Sequence, residues 1–408
     1  MKIGFVNFNT EEKKRVAKMM QLLQESEAIE ELGIGRVRDH FSNTLFPGTS
    51  TLQHHAKYLV LMPSLYYHIA FNNHKFQERN EVSIYIKEAE IQITRQLSED
   101  ENGNLRTNLT GITGINTYKD ALKDYNKYVK YDPAYIYGSG LVRYGIIPNT
   151  DVEGLILELN NKYFSDPHNK SSFKSDDETD DAGDLSGDKQ VIKTCGESYD
   201  FFNGKTMNIA LSKKEASFMK DRIHSSCNGT MLAYLIDSNN DIPEHIEYFE
   251  IEGKGILSDL DDEVVDVYKK SVLFSKLIHL IDWRYNYSYF VSFNKNEDAD
   301  ACNEEYKQLF KKYYNEIHNE DDYKELFDYT RSIDMMLTEF CEACYNAIIK
   351  NELASVDELV KARERTVKRE RSKIGNSAYK NQGRGKPLQN TFRWETVRTM
   401  VNEIRNPQ

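Results

Sequence analysis

Cysteine and proline are scarce in this sequence, and long apolar runs are missing. Five Cys residues among 408 are too few, and odd in number, for a disulfide framework. The longest apolar stretches, at 58–71 and 271–283, are interrupted by proline, histidine or charge and fall short of the roughly 18 residues that span a bilayer. The first nine residues hold no apolar core long enough for a secretory signal. We therefore expect a soluble cytoplasmic protein without a membrane segment.

An overall excess of positive charge is also missing. The 53 Lys and Arg residues against 65 Asp and Glu give a net charge of −12, which argues against a protein that coats nucleic acid over its whole surface. Hydrophobic residues make up 39% and charged residues 29% of the chain, so a sizeable core can form beneath a very polar surface. The length is sufficient for two or three domains, and the composition excludes a collagen-like or wholly disordered chain.

The apolar periodicity predicts a mainly α, multi-helical fold in two parts. A strand-like start at Ile3–Phe8, together with a short helix opened by Asp132 and Pro133 and closed by Gly145, favours a small winged-helix-like β element in the N-terminal part. Two capping boxes, beginning at Ser212 and at Ser355, predict helix starts. Thr49 and Ser50 are expected to cap a helix that runs through Leu52, Tyr58, Leu59 and Leu61, with a kink or break at Pro63. The other predicted helical segments are 11–24, 37–41, 76–97, 118–131, 133–145, 212–224, 229–237, 262–283, 296–318, 321–350, 355–373 and 391–401.

An acidic segment divides the chain. Residues 165–190 carry seven acids between Asp176 and Asp188, with Ser and Gly and almost nothing apolar. Such a segment cannot bury enough surface to offset its chain entropy, so we expect a flexible linker. The predicted organisation is an N-terminal helical domain at 1–164, this linker at 165–190, and a C-terminal helical domain at 191–408.

No catalytic, metal or cofactor motif is complete. Cys341 and Cys344 have no second ligand pair at zinc spacing and lie inside a predicted helix, where core packing is the better interpretation. The run 203–206 lacks the earlier glycine of a phosphate-binding loop. His168 begins a phospholipase-D-like motif that lacks its aspartate, and adjacent His54 and His55 point about 100° apart on a helix. The predicted sets of catalytic residues, metal ligands and cofactors are therefore empty.

The segment 361–387 is strongly basic. It holds ten Lys or Arg residues and two Glu, a local net charge of +8, which leaves −20 for the rest of the chain. Charge segregation of this size suits phosphate binding, because the release of counterions favours contact with a nucleic-acid backbone. The alternative is that the segment docks on an acidic surface of the chain itself or of a partner. The predicted nucleic-acid-binding residues are Lys361, Arg363, Arg365, Lys368, Arg369, Arg371, Lys373, Arg384 and Lys386.

Several runs resemble an uncharacterised bacterial family, a domain of unknown function. They are Gly4-Phe5-Val6-Asn7-Phe8 with Glu31-Leu32-Gly33-Ile34-Gly35, Arg38-Asp39-His40-Phe41 to Leu45-Phe46-Pro47-Gly48-Thr49-Ser50, Pro133-Ala134-Tyr135-Ile136-Tyr137 to Tyr144-Gly145-Ile146, and Phe392-Arg393-Trp394. The resemblance implies genes in phage-defence islands beside helicases and phospholipase-D-like nucleases. It implies no catalytic residue, since the family has none established.

These observations favour a non-catalytic accessory or adaptor subunit of a bacterial anti-phage system. Its expected partners are DNA and a helicase or nuclease subunit. Arg36, Arg38 and Lys57 would add phosphate contacts if the N-terminal helices form a winged-helix surface. Two alternatives stay open: a metal-dependent nuclease with scattered carboxylates and no recognisable motif, and a pure protein scaffold whose basic segment binds an acidic protein.

Overall fold

The computed structural model describes residues 31–72, 74–107, 109–165, 191–237 and 242–408. These residues are mainly helical, as the periodicity predicts, and their only β pairing is an isolated bridge between Glu99 and Leu105. The predicted winged-helix β element is not seen in them. The predicted strand at Ile3–Phe8, the helix at 11–24, His168 and nearly all of the acidic linker lie outside the described residues. None of the described helices has the length and apolar content to cross a membrane.

The α-helices of the described residues occur in the following order along the chain. They are α1 (Gly35–Leu45), α2 (Tyr58–Ala70), α3 (Arg79–Ser98), α4 (Tyr118–Ala121), α5 (Pro133–Arg143), α6 (Val152–Ser165), α7 (Lys213–Cys227), α8 (Met231–Asp237), α9 (Asp262–Ser292), α10 (Asn296–Lys312), α11 (Tyr314–Ile317), α12 (Glu320–Arg331), α13 (Met335–Ile349), α14 (Leu353–Lys368) and α15 (Trp394–Arg405). Single 3-10 turns lie at Tyr125–Lys127, Tyr248–Glu250, Arg369–Arg371 and Ser377–Tyr379.

The chain forms two compact units. The first unit contains the described residues up to 41 and residues 265–392, and the second contains 42–264 and 393–408. The described residues on either side of the segment 165–190 both belong to the second unit. Residues on its two sides are joined, since the backbone N–H of Lys193 donates to the carbonyl of Ile146 at 2.9 Å. The chain therefore leaves the first unit after residue 41 and returns to it at residue 265.

Helix α2 is the centre of the second unit. Its residues from Tyr58 to Tyr66 are all buried, and α3, α5, α6 and α7 pack around it. A helix that is apolar on every side is stable only when other elements surround it. Pro63 lies inside α2, which continues to Ala70, so the predicted break at this proline is wrong. The helix also begins at Tyr58, several residues after the predicted Thr49 and Ser50 caps, because residues 48–57 form a loop.

The loop after α1 is held against α5 by two glycines. Gly48 has φ 79°, and a Cβ there would lie 2.8 Å from the Tyr144 ring. A Cβ on Gly140 would lie 2.8 Å from the carbonyl oxygen of Gly48. Gln53 completes the contact, since its Nε2 donates to the carbonyls of Gly48 and Ile136, each at 3.2 Å. Close backbone approach therefore accounts for the Pro-Gly turn and for the glycine in α5.

Local capping signals are confirmed at the starts of α5 and α7. The Asp132 carboxylate accepts from the Tyr135 N–H at 2.9 Å, with Pro133 in the first turn. The Ser212 hydroxyl accepts from the Glu215 N–H, and the Glu215 carboxylate accepts from the Ser212 N–H, which completes the first capping box. The second box is not used, because α14 begins at Leu353, before Ser355.

Two predicted helices are shorter than expected. The tyrosine-rich segment 118–131 forms only α4 and one 3-10 turn. The segment 321–350 is divided between α12 and α13, because Asp334 caps α13 by accepting from the Leu337 N–H at 3.0 Å. Asp334 is a residue type that favours a helix start, but the continuous apolar pattern around it predicted one uninterrupted helix.

The core of the first unit surrounds α9, with α12, α13 and α14 packed in succession. Buried side chains of α9 include Phe274, Trp283, Tyr285 and Tyr289. Cys341 and Cys344 are buried on α13, which confirms their interpretation as core residues. Burial raises the pKa of Cys341 to about 12, so its thiol is protonated and unreactive at neutral pH.

Candidate nucleic-acid interface

The basic segment begins on α14, whose inner face is held by a buried ion pair. The Asp357 carboxylate receives two hydrogen bonds from the Arg284 guanidinium, at 2.9 and 2.6 Å. Arg284 also donates to Asn303 and lies with its guanidinium 4.0 Å from the centre of the Tyr287 ring. Breaking such a pair would leave a buried charge uncompensated. The α14 helix is therefore fixed on α9 before the basic residues begin.

Glu364 fixes the turn that follows α14. Its side chain is fully buried and accepts three hydrogen bonds: from the Tyr285 hydroxyl at 2.6 Å, the Lys373 N–H at 2.7 Å and the Ile374 N–H at 3.1 Å. A carboxylate with several donors is stabilised in its charged form without a counter-ion. This acid, inside a run of cations, folds residues 372–374 back onto α14.

Glu31 pairs with two of the predicted phosphate-binding residues. One oxygen of its carboxylate, Oε1, accepts from Lys373 Nζ at 2.5 Å and from Arg384 Nη1 at 3.0 Å. Its other oxygen, Oε2, is buried and has no hydrogen-bond partner among the residues that the structure describes. The predicted alternative of an internal acidic contact thus describes Lys373 and Arg384 in this structure.

Four further cations of the predicted set have partners inside the first unit. Lys361 pairs with Glu358 at 2.7 Å, and Lys386 lies 3.7 Å from Glu305. The Arg363 Nε donates to the carbonyl of Leu32 at 2.9 Å, and its guanidinium lies 5.6 Å from the centre of the Phe340 ring. Lys368 is buried, and burial lowers the pKa of its ammonium group. These four side chains therefore contribute to the packing of the segment and not only to its positive charge.

Three arginines remain exposed. Within the part of the chain that the structure describes, no ion pair or side-chain hydrogen bond engages Arg365, Arg369 or Arg371. Arg365 lies one helical turn before Arg369 on the outer side of α14, opposite buried Val356 and Val360. We call these three residues the exposed arginines.

The backbone at Arg369 is strained. It has φ 51° and ψ −121°, a region that a side chain with a Cβ rarely adopts, and its N–H donates to the carbonyl of Arg365. Such a conformation costs of order 1–3 kcal/mol and persists only where the surroundings impose it. Here the Glu364 carboxylate holds the N–H groups of residues 373 and 374, and Arg369 and Arg371 lie exposed in the chain before them.

The additional N-terminal cations Arg36, Arg38 and Lys57 lie in three different environments. Arg36 is exposed, and Arg38 pairs with the neighbouring Asp39 at 3.2 Å. Lys57 belongs to the second unit and is buried, with its Nζ 2.6 and 2.7 Å from the two oxygens of Glu215. Lys57 is therefore a structural residue that has no access to a phosphate.

His55 is also structural, although its geometry is more specific than the sequence suggests. Its Nδ1 lies 2.6 Å from Glu403 Oε1, and its Nε2 lies 2.8 Å from the Thr110 carbonyl. Both partners are acceptors only, so both ring nitrogens donate and the imidazole is charged. Burial opposes that charge, but the hydrogen bond and the charge of Glu403 outweigh it and raise the pKa of His55.

The sequence analysis did not identify Asp357, Glu364 and Glu31, the three acids that position the basic segment. Positions 356, 360, 364 and 368 lie four residues apart, so Glu364 and Lys368 continue the buried stripe that Val356 and Val360 begin. That spacing was a signal for a buried acid. No signal in the sequence pointed to Glu31, because its partner Lys373 is 342 residues away.

Fold and site together describe a mainly helical protein with a basic surface segment that its own buried acids hold in place. Residues 1–138 match the model of a family of unknown function (DUF6361), which covers about a third of the chain and to which this region is similar. No curated protein matches, and no solved structure matches.

Proposed function

We propose that this protein binds the phosphate backbone of nucleic acid through the exposed arginines. The observation that carries the proposal is that Arg365, Arg369 and Arg371 are exposed and unengaged by described residues, whereas the other six predicted cations have internal partners. Guanidinium groups match phosphate oxygens with two parallel hydrogen bonds. Retaining three such groups without partners at one turn has no packing benefit within the described residues.

The remaining charge of the chain supports a limited contact rather than a coat. Outside residues 361–387 the sequence carries a net charge of −20, which repels a polyanion. Nucleic acid would therefore approach only at the basic segment. In this proposal the arginines, at a helix end and in the following turn, position a nucleic-acid backbone and do not read bases.

We further propose that the chain acts as a non-catalytic accessory subunit in a bacterial anti-phage system. The support is the resemblance of its sequence runs to a family encoded beside helicases and nucleases, together with the match of residues 1–138 to a family of unknown function. In this role the chain would contact DNA, a helicase or nuclease partner, or both, and carry no reaction of its own.

The test is fluorescence anisotropy of the nuclease-free protein on a labelled DNA duplex across a salt series. The wild type is compared with a variant in which Arg365, Arg369 and Arg371 are changed to Ala. We expect log affinity to fall with log salt, and the slope to decrease in magnitude by about 2.7 in the variant, since each phosphate contact contributes roughly 0.9.

A matched control removes three exposed lysines of the same unit that lie outside the basic segment, namely Lys311, Lys324 and Lys350. It loses the same formal charge, so its slope should stay near that of the wild type. Equal losses in the two triple variants would mean that only net charge matters. Absence of wild-type binding at low salt would refute the proposal.

A protein partner is the second candidate, and exposed apolar side chains favour it. Leu388, two residues after Lys386, is 84% exposed, and Met335 and Met336 at the start of α13 are 57% and 60% exposed. Apolar side chains beside a charged rim are typical of protein interfaces. Co-purification with a helicase or nuclease subunit at high salt, reduced by Leu388→Ser and unaffected by nuclease treatment, would favour this role.

A further inference from the structure

Lys373 and Arg384 form a cationic pocket that contains the Glu31 carboxylate. We call these two cations the Glu31 pocket. Glu31 is about nine-tenths buried, whereas the side chains of Lys373 and Arg384 keep 24% and 20% of their surface exposed. The two cations are therefore reachable from solvent, although an internal acid occupies the position between them.

The two cations are held by contacts that do not involve Glu31. Arg384 Nε donates to Asn286 Oδ1 at 3.0 Å, and its guanidinium lies 4.7 Å from the centre of the Tyr285 ring. The Lys373 backbone is fixed by Glu364, and its Nζ lies 5.9 Å from the centre of the Tyr379 ring. Because these contacts position both groups independently, the pocket would keep its shape when Glu31 leaves it.

Glu31 fills the pocket incompletely. Both cations donate to the same oxygen, Oε1, while Oε2 is buried without a partner in the described part of the chain. The nearby Asp282 carboxyl adds repulsion: burial and then the charge of Glu31 raise the pKa of Asp282 to about 7, although Arg384 opposes this rise. A buried acceptor without a donor among the described residues favours release of the carboxylate.

We propose that the Glu31 pocket is a phosphate site, and that Glu31 competes with a phosphate group of nucleic acid for Lys373 and Arg384. A backbone phosphate carries one negative charge on two equivalent outer oxygens. It can therefore give one oxygen to each cation, which Glu31 does not do in this structure. A charged Asp282 would repel both the Glu31 carboxylate and a phosphate group, and a protonated Asp282 would repel neither. The inference rests on the proposed function, because the same nucleic acid would extend from the exposed arginines to this pocket.

The test compares Glu31→Gln with Glu342→Gln on the labelled duplex. Glu342 pairs with Arg331 at 2.6 Å, outside the basic segment but in the same unit, so its variant loses the same charge elsewhere. We expect Glu31→Gln to bind at least about fivefold more tightly than Glu342→Gln, within the usual range of coupled binding. Its salt slope should steepen by about 0.9, one additional phosphate. Adding Lys373→Ala to Glu31→Gln should abolish the gain.

The outcomes separate this inference from the proposed function. Equal affinities of Glu31→Gln and Glu342→Gln would overturn the pocket, while the triple arginine variant would still decide the proposed function. Failure of every variant to bind DNA would overturn both. A further experiment adds inorganic phosphate alone to Glu31→Gln. If phosphate raises the melting temperature of this variant while its DNA affinity is unchanged, the ligand of the pocket is free phosphate, and the proposal that nucleic acid occupies the pocket is overturned. If Glu31→Gln does not fold, Glu31→Asp retains the charge, shortens the reach, and should show a smaller gain over the control.

Discussion

Replacing Glu364 with Gln tests whether a buried acid holds the basic segment in place. Glu364 is fully buried and accepts from the Tyr285 hydroxyl and from the N–H groups of Lys373 and Ile374. Gln has nearly the same shape but only one acceptor oxygen. If that oxygen keeps Tyr285 and Lys373, the new amide NH₂ faces the Ile374 N–H, and two donors meet with no acceptor between them.

The free-energy cost of Glu364→Gln has two sources, the lost hydrogen bond and the buried donor left without an acceptor. A hydrogen bond to a charged acceptor contributes about 1.5–3 kcal/mol, and a buried donor left without an acceptor costs about 1–3 kcal/mol. The two effects overlap because they concern the same pair of atoms. We therefore expect Glu364→Gln to destabilise the turn by about 3 kcal/mol, with the effect confined at first to residues 372–374.

Hydrogen exchange measures this turn directly. The amides of Lys373 and Ile374 should exchange about 100-fold faster in Glu364→Gln, since 1.4 kcal/mol corresponds to a factor of ten. A local readout is preferable to a single melting curve, because a chain of two units need not unfold in one step. The control is Glu370→Gln, an exposed acid of the same segment that should change exchange by less than a factor of about three. Equal exchange rates in the two variants would refute the account of Glu364.

Two further predictions concern the second unit. Stability should fall as pH rises from 5.5 to 8.5, because the folded pKa of His55 is raised: its contribution is complete below pH about 6.5 and is lost as pH passes the folded value. In His55→Gln the melting temperature should depend less on pH, and an unchanged dependence would contradict the charged pairing with Glu403. Gly48→Ala should destabilise by more than about 2 kcal/mol, because its φ of 79° and the Tyr144 ring at 2.8 Å both oppose a Cβ. Gly103→Ala has the same φ of 78° with open space, so thermal unfolding of the two variants separates strain from collision, and equal costs would show that the Tyr144 contact is unimportant.

The sequence alone determined the features that depend on neighbouring residues. The helical class follows from apolar spacing, and the starts of α5 and α7 follow from Asp132 before Pro133 and from the Ser212 capping box. Each of these involves atoms within four residues, so the pattern contains the whole interaction. The same local reasoning failed at Ser355: α14 begins two residues earlier, at Leu353, and its Asp357 is held by Arg284 of α9, far away in the sequence.

Only the tertiary structure decided which cations of the basic segment are exposed. The composition of 361–387 showed the charge, and nine residues were equal candidates on that basis. Among those nine, the structure leaves Arg365, Arg369 and Arg371 exposed without an ion pair in the described residues, whereas Lys373 and Arg384 pair with Glu31 and Lys361 pairs with Glu358. An ion pair between residues 342 positions apart depends on the folded path of the chain, and a single sequence contains the two charges but not the distance between them.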